Sequence, residues 1–311
     1  MSNAFDAPHF QNPENAREWL EGQRWPEGPI CSHCGTVNHA YRTKKLGWYR
    51  CAEKECRKDF SVTTGTLMER SHIALNKWLM AFYLMCSSKK GISAHQLHRA
   101  LGVDYKSAWF LCHRIREAMK DGGMGTLGGA GGIVEADETY YGEVDEARTS
   151  KQRQGRPYKH RKHVGTKRAI VSLVERGGKV RSFHAPTADA ATVAKIVNEN
   201  VHAETRLHTD ESKLYTRVGA QFAAHETVNH SAKEYARGDV TTNSVEGYFS
   251  IFKRGMTGVY QHCAEKHLHR YLVEFDFRYN NRVALGVSDI DRTKIAVMGI
   301  EGKRLTYHQT H

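Results

Sequence analysis

Residues 133–141 read IVEADETYY. Ile133, Val134 and Ala136, closed by Tyr140 and Tyr141, predict a β-strand. Asp137 falls late in this apolar run, where a charge is costly to bury unless it is paired or metal-bound. Outward from this segment, Ala169–Val174 and Val180–Phe183 read as two more strands, joined by a turn at Arg176, Gly177 and Gly178. Ala188–Val201 reads as a helix. Thr205–Thr209 reads as a short strand that ends at Asp210, and Gln221–Ala224 opens another. Asn243–Arg254 and Glu265–Arg282 have helical periodicity. Strands, a helix, a strand and then helices predict an α/β domain over residues 132–285.

A second acid at a strand end, Asp210, makes Asp137 more informative. Glu246 opens the helix NSVEGYFSIFKR, with 35 residues between it and Asp210. Lys253 follows seven positions later, about two turns along the same helix face. Converging carboxylates repel one another and call for a divalent cation. Mg²⁺ takes oxygen ligands and keeps positions open for phosphates. Two such ions at ~3.5–4 Å can clamp the attacking and leaving oxygens of an in-line displacement. Glu135, Glu138 and Glu211 read as ordinary strand-edge or loop acids. His208 shares a strand face with Asp210 and reads as a packed histidine in preference to a group supporting the site.

The four cysteines Cys31, Cys34, Cys51 and Cys56 form C-x2-C, sixteen residues, then C-x4-C. Two such knuckles present four sulfurs to one tetrahedral Zn²⁺ with no open position, so the metal is structural. The stretch from Tyr41 to Arg50 supplies strands of a zinc ribbon, and residues 1–62 form this region with a helix around Asn15–Leu20. His33 and His39 are nearby rival ligands. Cys86, Cys112 and Cys263 read as core or surface residues.

Residues 63–120 are helical. Leu75 to Cys86 carries apolar residues at helical spacing. Ser93 can cap a helix from Ala94 to Leu101, Gly102 breaks it, and Asp104 or Tyr105 opens a third helix. That order matches a helix-turn-helix. Lys106, Arg114 and Arg116 are the DNA-contact candidates on the last helix. The plainer reading is a small bundle with a solvated basic face. Asp121 to Gly132 has seven glycines in twelve residues, and the reading for 121–131 is a flexible linker. In Arg148–Arg168, nine of 21 residues are Lys or Arg and none is acidic. This predicts a loop for phosphate backbones, with Lys159, Arg161 and Lys162 as contacts. Residues 286–311 read as a tail.

The 311 residues carry 46 Lys or Arg against 34 Asp or Glu, a formal charge of +12. That excess suggests a polyanionic partner. The longest apolar run, Trp78 to Cys86, is nine residues, too short for a bilayer span of about 20. The N-terminus, MSNAFDAPHF, lacks the basic start and apolar core of a secretory signal. A cytoplasmic, nucleoid-associated protein with no membrane contact is expected.

The stretches CSHCG, YRCAEKECRKDFSVTTGT, IVEADETYYG, LHTDES, TTNSVEGYFSIFKRG and EFDFRYNNR run in order from about residue 20 to residue 282. As an ordered set they resemble the bacterial insertion-sequence transposases that join an N-terminal zinc ribbon to a DDE catalytic domain, the ISXO-like group. The resemblance implies a multidomain α+β chain with a zinc ribbon, a helix-turn-helix and a ribonuclease H-like (retroviral integrase-like) catalytic domain. It implies Asp137 and Asp210 as the first two metal-binding acids. For the third, either Asn243 or Glu246 matches. Glu246 is preferred, because a carboxylate binds Mg²⁺ or Mn²⁺ better than an amide. Lys253, with Arg254 beside it, would touch DNA near the cleavage point. The implied function is Mg²⁺-dependent cleavage and strand transfer at terminal inverted repeats, by a chain that oligomerises on double-stranded DNA. A ribonuclease H-like nuclease or resolvase, and a zinc-ribbon regulator with a decayed catalytic domain, are the rival readings.

Overall fold

The computed structural model describes residues 4–120, 122–123, 125–143 and 167–306. The chain divides into two compact units, residues 1–120 with 287–311, and residues 121–286.

In the first unit, α1 (Pro8–Gln11) leads into α2 (Pro13–Arg24). Pro13 starts α2 because its missing amide hydrogen is not needed there, and the Asn12 side chain accepts from the Asn15 amide at 2.8 Å. Strands β1 (Ala40–Arg42), β2 (Trp48–Cys51) and β3 (Asp59–Ser61) pair antiparallel in that order. Behind them the rings of Trp25, Tyr49 and Phe60 meet at 5.7–5.8 Å, a small apolar core for so short a sheet.

Three helices follow, α3 (Leu75–Ser87), α4 (Ala94–Leu101) and α5 (Tyr105–Ala118). The expected punctuation is present. Ser93 and Gln96 form a reciprocal capping box. Gly102 closes α4 at φ 58°, in the left-handed region that glycine adopts freely, and Asp104 caps α5 through the Ser107 amide at 3.0 Å. The expected C-terminal tail is corrected. Asp289–Met298 forms a helix that packs against α3. Ser288 caps it, Ala296 and Val297 are buried, and Arg292 donates to the Cys86 carbonyl at 2.9 Å. Apolar burial therefore recruits this segment into the first unit.

The second unit contains β4 (Ile133–Glu143), β5 (Lys167–Glu175), β6 (Val180–Ala185), α6 (Ala190–Asn200), β7 (Arg206–Thr209), α7 (Thr216–Gly219) and β8 (Ala224–Thr227). It continues with β9 (Ala236–Arg237), β10 (Val240–Thr241), α8 (Asn243–Gly255) and α9 (Leu268–Asn280). Five strands form one sheet in the order β6-β5-β4-β7-β8. The β6-β5 and β5-β4 pairs are antiparallel, while β4-β7 and β7-β8 are parallel. The strand expected from Gln221 begins only at Ala224.

Both sheet faces are covered. Side chains alternate along a strand, so Ala169, Val171 and Leu173 pack with Val193 and Val197 of α6. Ile170 and Val174 face Val245, Phe252 and Phe275 of α8 and α9. The same alternation places Val134 and Ala136 of β4 in the first core, which leaves Glu135 and Asp137 toward α8.

The flexible-linker reading for 121–131 is corrected where the segment is described. Leu127 is buried, with its amide on the Asn200 carbonyl at 2.8 Å and its carbonyl on the His202 amide at 3.0 Å. Gly129 donates to Thr205 Oγ1 at 2.9 Å. Gly128, at φ +79°, lies so close that a Cβ there would meet the Thr205 hydroxyl. The glycines serve a close backbone approach as well as freedom.

Candidate active site

The two parallel central strands bring the first two acids to one end of the sheet. Asp137 lies on β4 two residues beyond Glu135, which is paired in register with His208 of β7. Asp210 follows β7 directly, and its Oδ1 accepts from the Ser212 amide at 3.0 Å. Glu246 lies in the first turn of α8. Asp137 feels the charge of the other two. Burial, then the charges of Glu138, Asp210 and Glu246, push Asp137 up to about 8, against a hydrogen bond from the Glu138 amide. Burial also raises Asp210, while the Ser212 amide and nearby His230 pull it down. A buried carboxylate with other acids around it, as Asp137 is, lacks a counter-charge, so the donor set fits a divalent cation.

Glu246 is about half exposed. Its Oε1 accepts from Thr242 Oγ1 at 2.9 Å and lies 3.5 Å from His230 Nε2. Asn243 is exposed at the first position of α8, and Lys253 is exposed two turns beyond Glu246. Arg254 is also exposed, its Nε on the Ser250 carbonyl at 3.1 Å.

The four cysteines converge as their spacing predicts. Their sulfurs lie within 4.8 Å of one another, and among the described residues no other group of three or more His, Cys, Asp or Glu ligand atoms is drawn this close. The Cys31–Cys56 and Cys34–Cys51 sulfurs are 3.7 and 3.6 Å apart. A tetrahedron with Zn–S bonds of about 2.3 Å has edges of about 3.8 Å. The Thr36 hydroxyl and amide pull Cys34 down to about 6, whereas burial raises Cys31 and Cys51. The rival ligands are engaged elsewhere, His39 with Glu53 at 2.9 Å and His33 with the Asp59 carbonyl at 3.3 Å.

The basic residues fare unevenly. Lys106 is exposed at the start of α5. Arg116 is corrected, because it is only 3% exposed. It lies four residues after buried Cys112 and so shares the core face of α5. Arg114 is half-buried over the Phe110 ring, with Nε on the Leu305 carbonyl at 3.3 Å. Neither is the free basic side chain that the sequence suggests. Within the basic segment, Lys159, Arg161 and Lys162 lie outside the described residues. Lys167 and Arg168 belong to β5, and Arg168 is buried with its guanidinium on the Cys263 carbonyl.

With this geometry in hand, two family models match the chain. One describes an ISXO2-like transposase domain and matches residues 129–280, and the other describes a transposase zinc-ribbon domain and matches residues 11–59. The chain thus carries an ISXO2-like transposase domain together with a transposase zinc ribbon. It is a DDE-type DNA transposase. A protein in the transposable element ISH50 of Halobacterium salinarum is 28% identical over 281 residues, covering 86% of this chain and 91% of its own. A transposase-like protein of Haemophilus influenzae is 25% identical over 103 residues, covering 33% of this chain and 82% of its own. Among solved structures, a chain of a simian T-cell lymphotropic virus intasome aligns at 14% identity and TM-score 0.28, over 58% of this chain and 67% of that one. A chain of the Mos1 strand transfer complex aligns at 13% and 0.24, over 68% and 78%. Superpositions this loose have no bearing on the fold.

Several residues of the transposase do more than their sequence context suggests. Glu135, read as an ordinary strand-edge acid, is fully buried and bonded to Arg176 and to the first turn of α8. Its period-two relation to Asp137 was the available signal. Glu138 accepts from the Tyr215 hydroxyl at 2.9 Å, and burial raises its pKa. Glu211 ties the Asp210 loop to the next one. It accepts from the His230 amide at 2.9 Å and from the Ser231 hydroxyl at 2.6 Å, contacts that hold it down at about 2. His208 is fully buried, 3.3 Å from Glu226, as a packed histidine should be.

The EFDFRYNNR segment of the transposase is a structural lock. Asp276 accepts from the Ser182 amide and hydroxyl at 2.8 Å each and from the Tyr248 hydroxyl at 2.5 Å. Glu274 pairs with Arg278 one turn on. Asn280 exchanges two bonds with the Val180 backbone, and Arg282 holds the Gly178 carbonyl at 2.8 Å. Together they fasten α9 to β6 and to the β5–β6 turn.

Proposed function

We propose that this transposase acts on the terminal inverted repeats of an insertion sequence, cleaving a phosphodiester at each end and joining the freed 3′-hydroxyl to target DNA, with Asp137, Asp210 and Glu246 as its catalytic acids. The observation that carries this reading is Asp137, a buried carboxylate pushed up to about 8 by its burial and then by the charges of Glu138, Asp210 and Glu246. Their donors suit Mg²⁺ or Mn²⁺, which when bound supplies Lewis-acid stabilisation of the phosphate and activation of water. Asp137 lies on β4 and Asp210 just beyond the adjacent parallel strand β7, and Glu246, from the first turn of α8, would complete the set. Lys253 and Arg254, exposed further along that helix, would take DNA phosphates. No serine or tyrosine nucleophile is needed. The β6-β5-β4-β7-β8 sheet, with one acid on β4 and one at the end of β7, supports a ribonuclease H-like catalytic domain.

In the first unit, the cysteine geometry supports a structural Zn²⁺. Helices α4 and α5, joined at Gly102, support a helix-turn-helix with Lys106 toward DNA. The basic segment 148–168 would follow phosphate backbones. Assembly on paired DNA ends would be as a homo-oligomer, in the cytoplasm at the nucleoid. Among the described residues no helix is long and apolar enough to cross a membrane.

The deciding experiment uses the element's own ends. Glu246→Gln keeps size and removes the charge, so cleavage and strand transfer should be lost while binding to the ends persists. Asn243→Ala should reduce cleavage less. If Asn243→Ala abolishes cleavage and Glu246→Gln does not, Asn243 is the third residue. Cleavage with no joined product from the unmodified chain would favour a nuclease or resolvase.

A further inference from the structure

The first turn of α8 is capped from an unusual place. Its N-cap residue is Thr242, but the Thr242 side chain does not reach the helix amides. The hydroxyl is turned to Glu246 Oε1, 2.9 Å away. The free amides of Ser244 and Val245 bond instead to Oε2 of Glu135, at 2.7 and 3.1 Å, from a residue more than a hundred positions earlier in the chain. Oε1 of the same carboxylate accepts from Ser244 Oγ at 3.0 Å and from Arg176 Nε and Nη2 at 3.1 and 2.7 Å. Arg176 also donates to the carbonyls of Asp239 at 2.6 Å and Thr241 at 3.3 Å, on the segment leading into α8. Glu135 is fully buried, so these five bonds are its environment.

We propose that Glu135 is a positioning residue of the acidic site, holding the first turn of α8 so that Glu246 stays beside Asp137. The inference rests on the reading of Asp137, Asp210 and Glu246 as the catalytic acids. Glu135 and Asp137 share a strand and a sheet face two residues apart, about 7 Å along the backbone. Ser244 and Val245 immediately precede Glu246. One carboxylate thus fixes the distance between two acids that come from different elements. Without it, the first turn of α8 keeps two unsatisfied amides, Thr242 being committed to Glu246. Arg176 pairs with the buried Glu135 carboxylate and, through its other donors, anchors the chain just before the helix. A group that orients the carboxylates of a metal site typically changes metal affinity by ~10–100-fold when it is removed.

The test uses the full chain with its ribbon intact. Mn²⁺ binding is followed by electron paramagnetic resonance and amide exchange by mass spectrometry, without DNA. Glu135→Gln should raise the half-saturating Mn²⁺ concentration by about ten-fold or more. It should also speed exchange at Ser244 and Val245 while leaving the α9 amides Leu272 to Phe275 protected. Glu135→Asp, which keeps the charge, should recover part of both. Ser244→Ala removes only the hydroxyl contact, and it decides the matter should Glu135→Gln fail to fold: Mn²⁺ affinity should drop by a few-fold, in the lower part of the same range. Wild-type Mn²⁺ affinity and wild-type first-turn exchange in the folded variants would overturn the proposal. Asp137→Asn separates the two readings. If it leaves Mn²⁺ binding intact, the acid-site assignment fails and this inference with it. If it abolishes binding while Glu135→Gln does not weaken it, the positioning role alone is wrong.

Discussion

The ribbon offers a prediction whose size and order both follow from geometry. Each of the four sulfurs should supply about a quarter of the metal's stabilisation. Structural zinc is worth about 10–16 kcal/mol in small domains near neutral pH. Losing one ligand should therefore cost about 2.5–4 kcal/mol, which is about two to three powers of ten in the zinc dissociation constant. The four positions are not equivalent, however. Cys51 is fully buried, whereas Cys34 is exposed and its thiolate is already favoured by the Thr36 hydroxyl and amide. Water can take the vacated place at 34 but has no route to the place at 51. Cys34→Ser should fall at the low end of the range and Cys51→Ser at or above the high end.

Competition with a chromophoric chelator on the full chain measures both. Trp25 fluorescence reports the ribbon core, because that ring packs on Tyr49 and Phe60. In the Cys31→Ser/Cys34→Ser double variant the Trp25 signal should shift to that of an exposed ring, while α8 and α9 amide protection stays unchanged. Full zinc occupancy in the double variant would refute the four-sulfur site. Cys34→Ser costing more than Cys51→Ser would refute the burial argument.

Neutralising Lys159, Arg161 and Lys162 together should weaken binding to all DNA sequences alike and reduce the salt slope by about three charges' worth, measured by titration at several salt concentrations; a changed sequence preference with an unchanged slope would count against phosphate contact. Asp276 is pushed up to about 6 by burial from an ordinary value of 3.8, so the folded state binds its proton more tightly than the unfolded chain does. Its stabilising effect is complete below about pH 4 and is lost as pH rises through about 6. Asp276→Asn should flatten the stability profile between those values, and chemical denaturation across that window checks it.

How much of this was legible in the sequence depends on whether the information is local. Cysteine spacing, the Ser93 cap, Gly102 and the apolar strands at 133, 169 and 180 are properties of neighbouring residues, and each appears where the pattern put it. The misplacements concern side chains whose neighbours are distant. Arg116 and Arg168 look like surface cations by residue type, yet α5 and β5 turn them inward, where Arg168 meets the Cys263 carbonyl. The 286–311 segment looks like a tail until α3 offers it an apolar face. The glycines from 122 to 132 suggest freedom until the Thr205 side chain shows what one of them makes room for.

The acids of β4 show why residue type and strand position must be combined before a role is assigned. Glu135, Asp137 and Glu138 fall within four residues of an apolar strand, and any of them could be a metal ligand by composition. Period two separates them. Glu138 points with Val134 and Ala136 to the α6 side and is satisfied by Tyr215. Glu135 and Asp137 point to the α8 side, but Glu135 meets an arginine and two helix amides while Asp137 meets only other acids beyond a single backbone amide. A carboxylate with a full set of donors has no lone pairs left for a cation. One surrounded by like charge has every reason to bind one. The partner list, more than the presence of acids, therefore divides the strand into a support and a ligand.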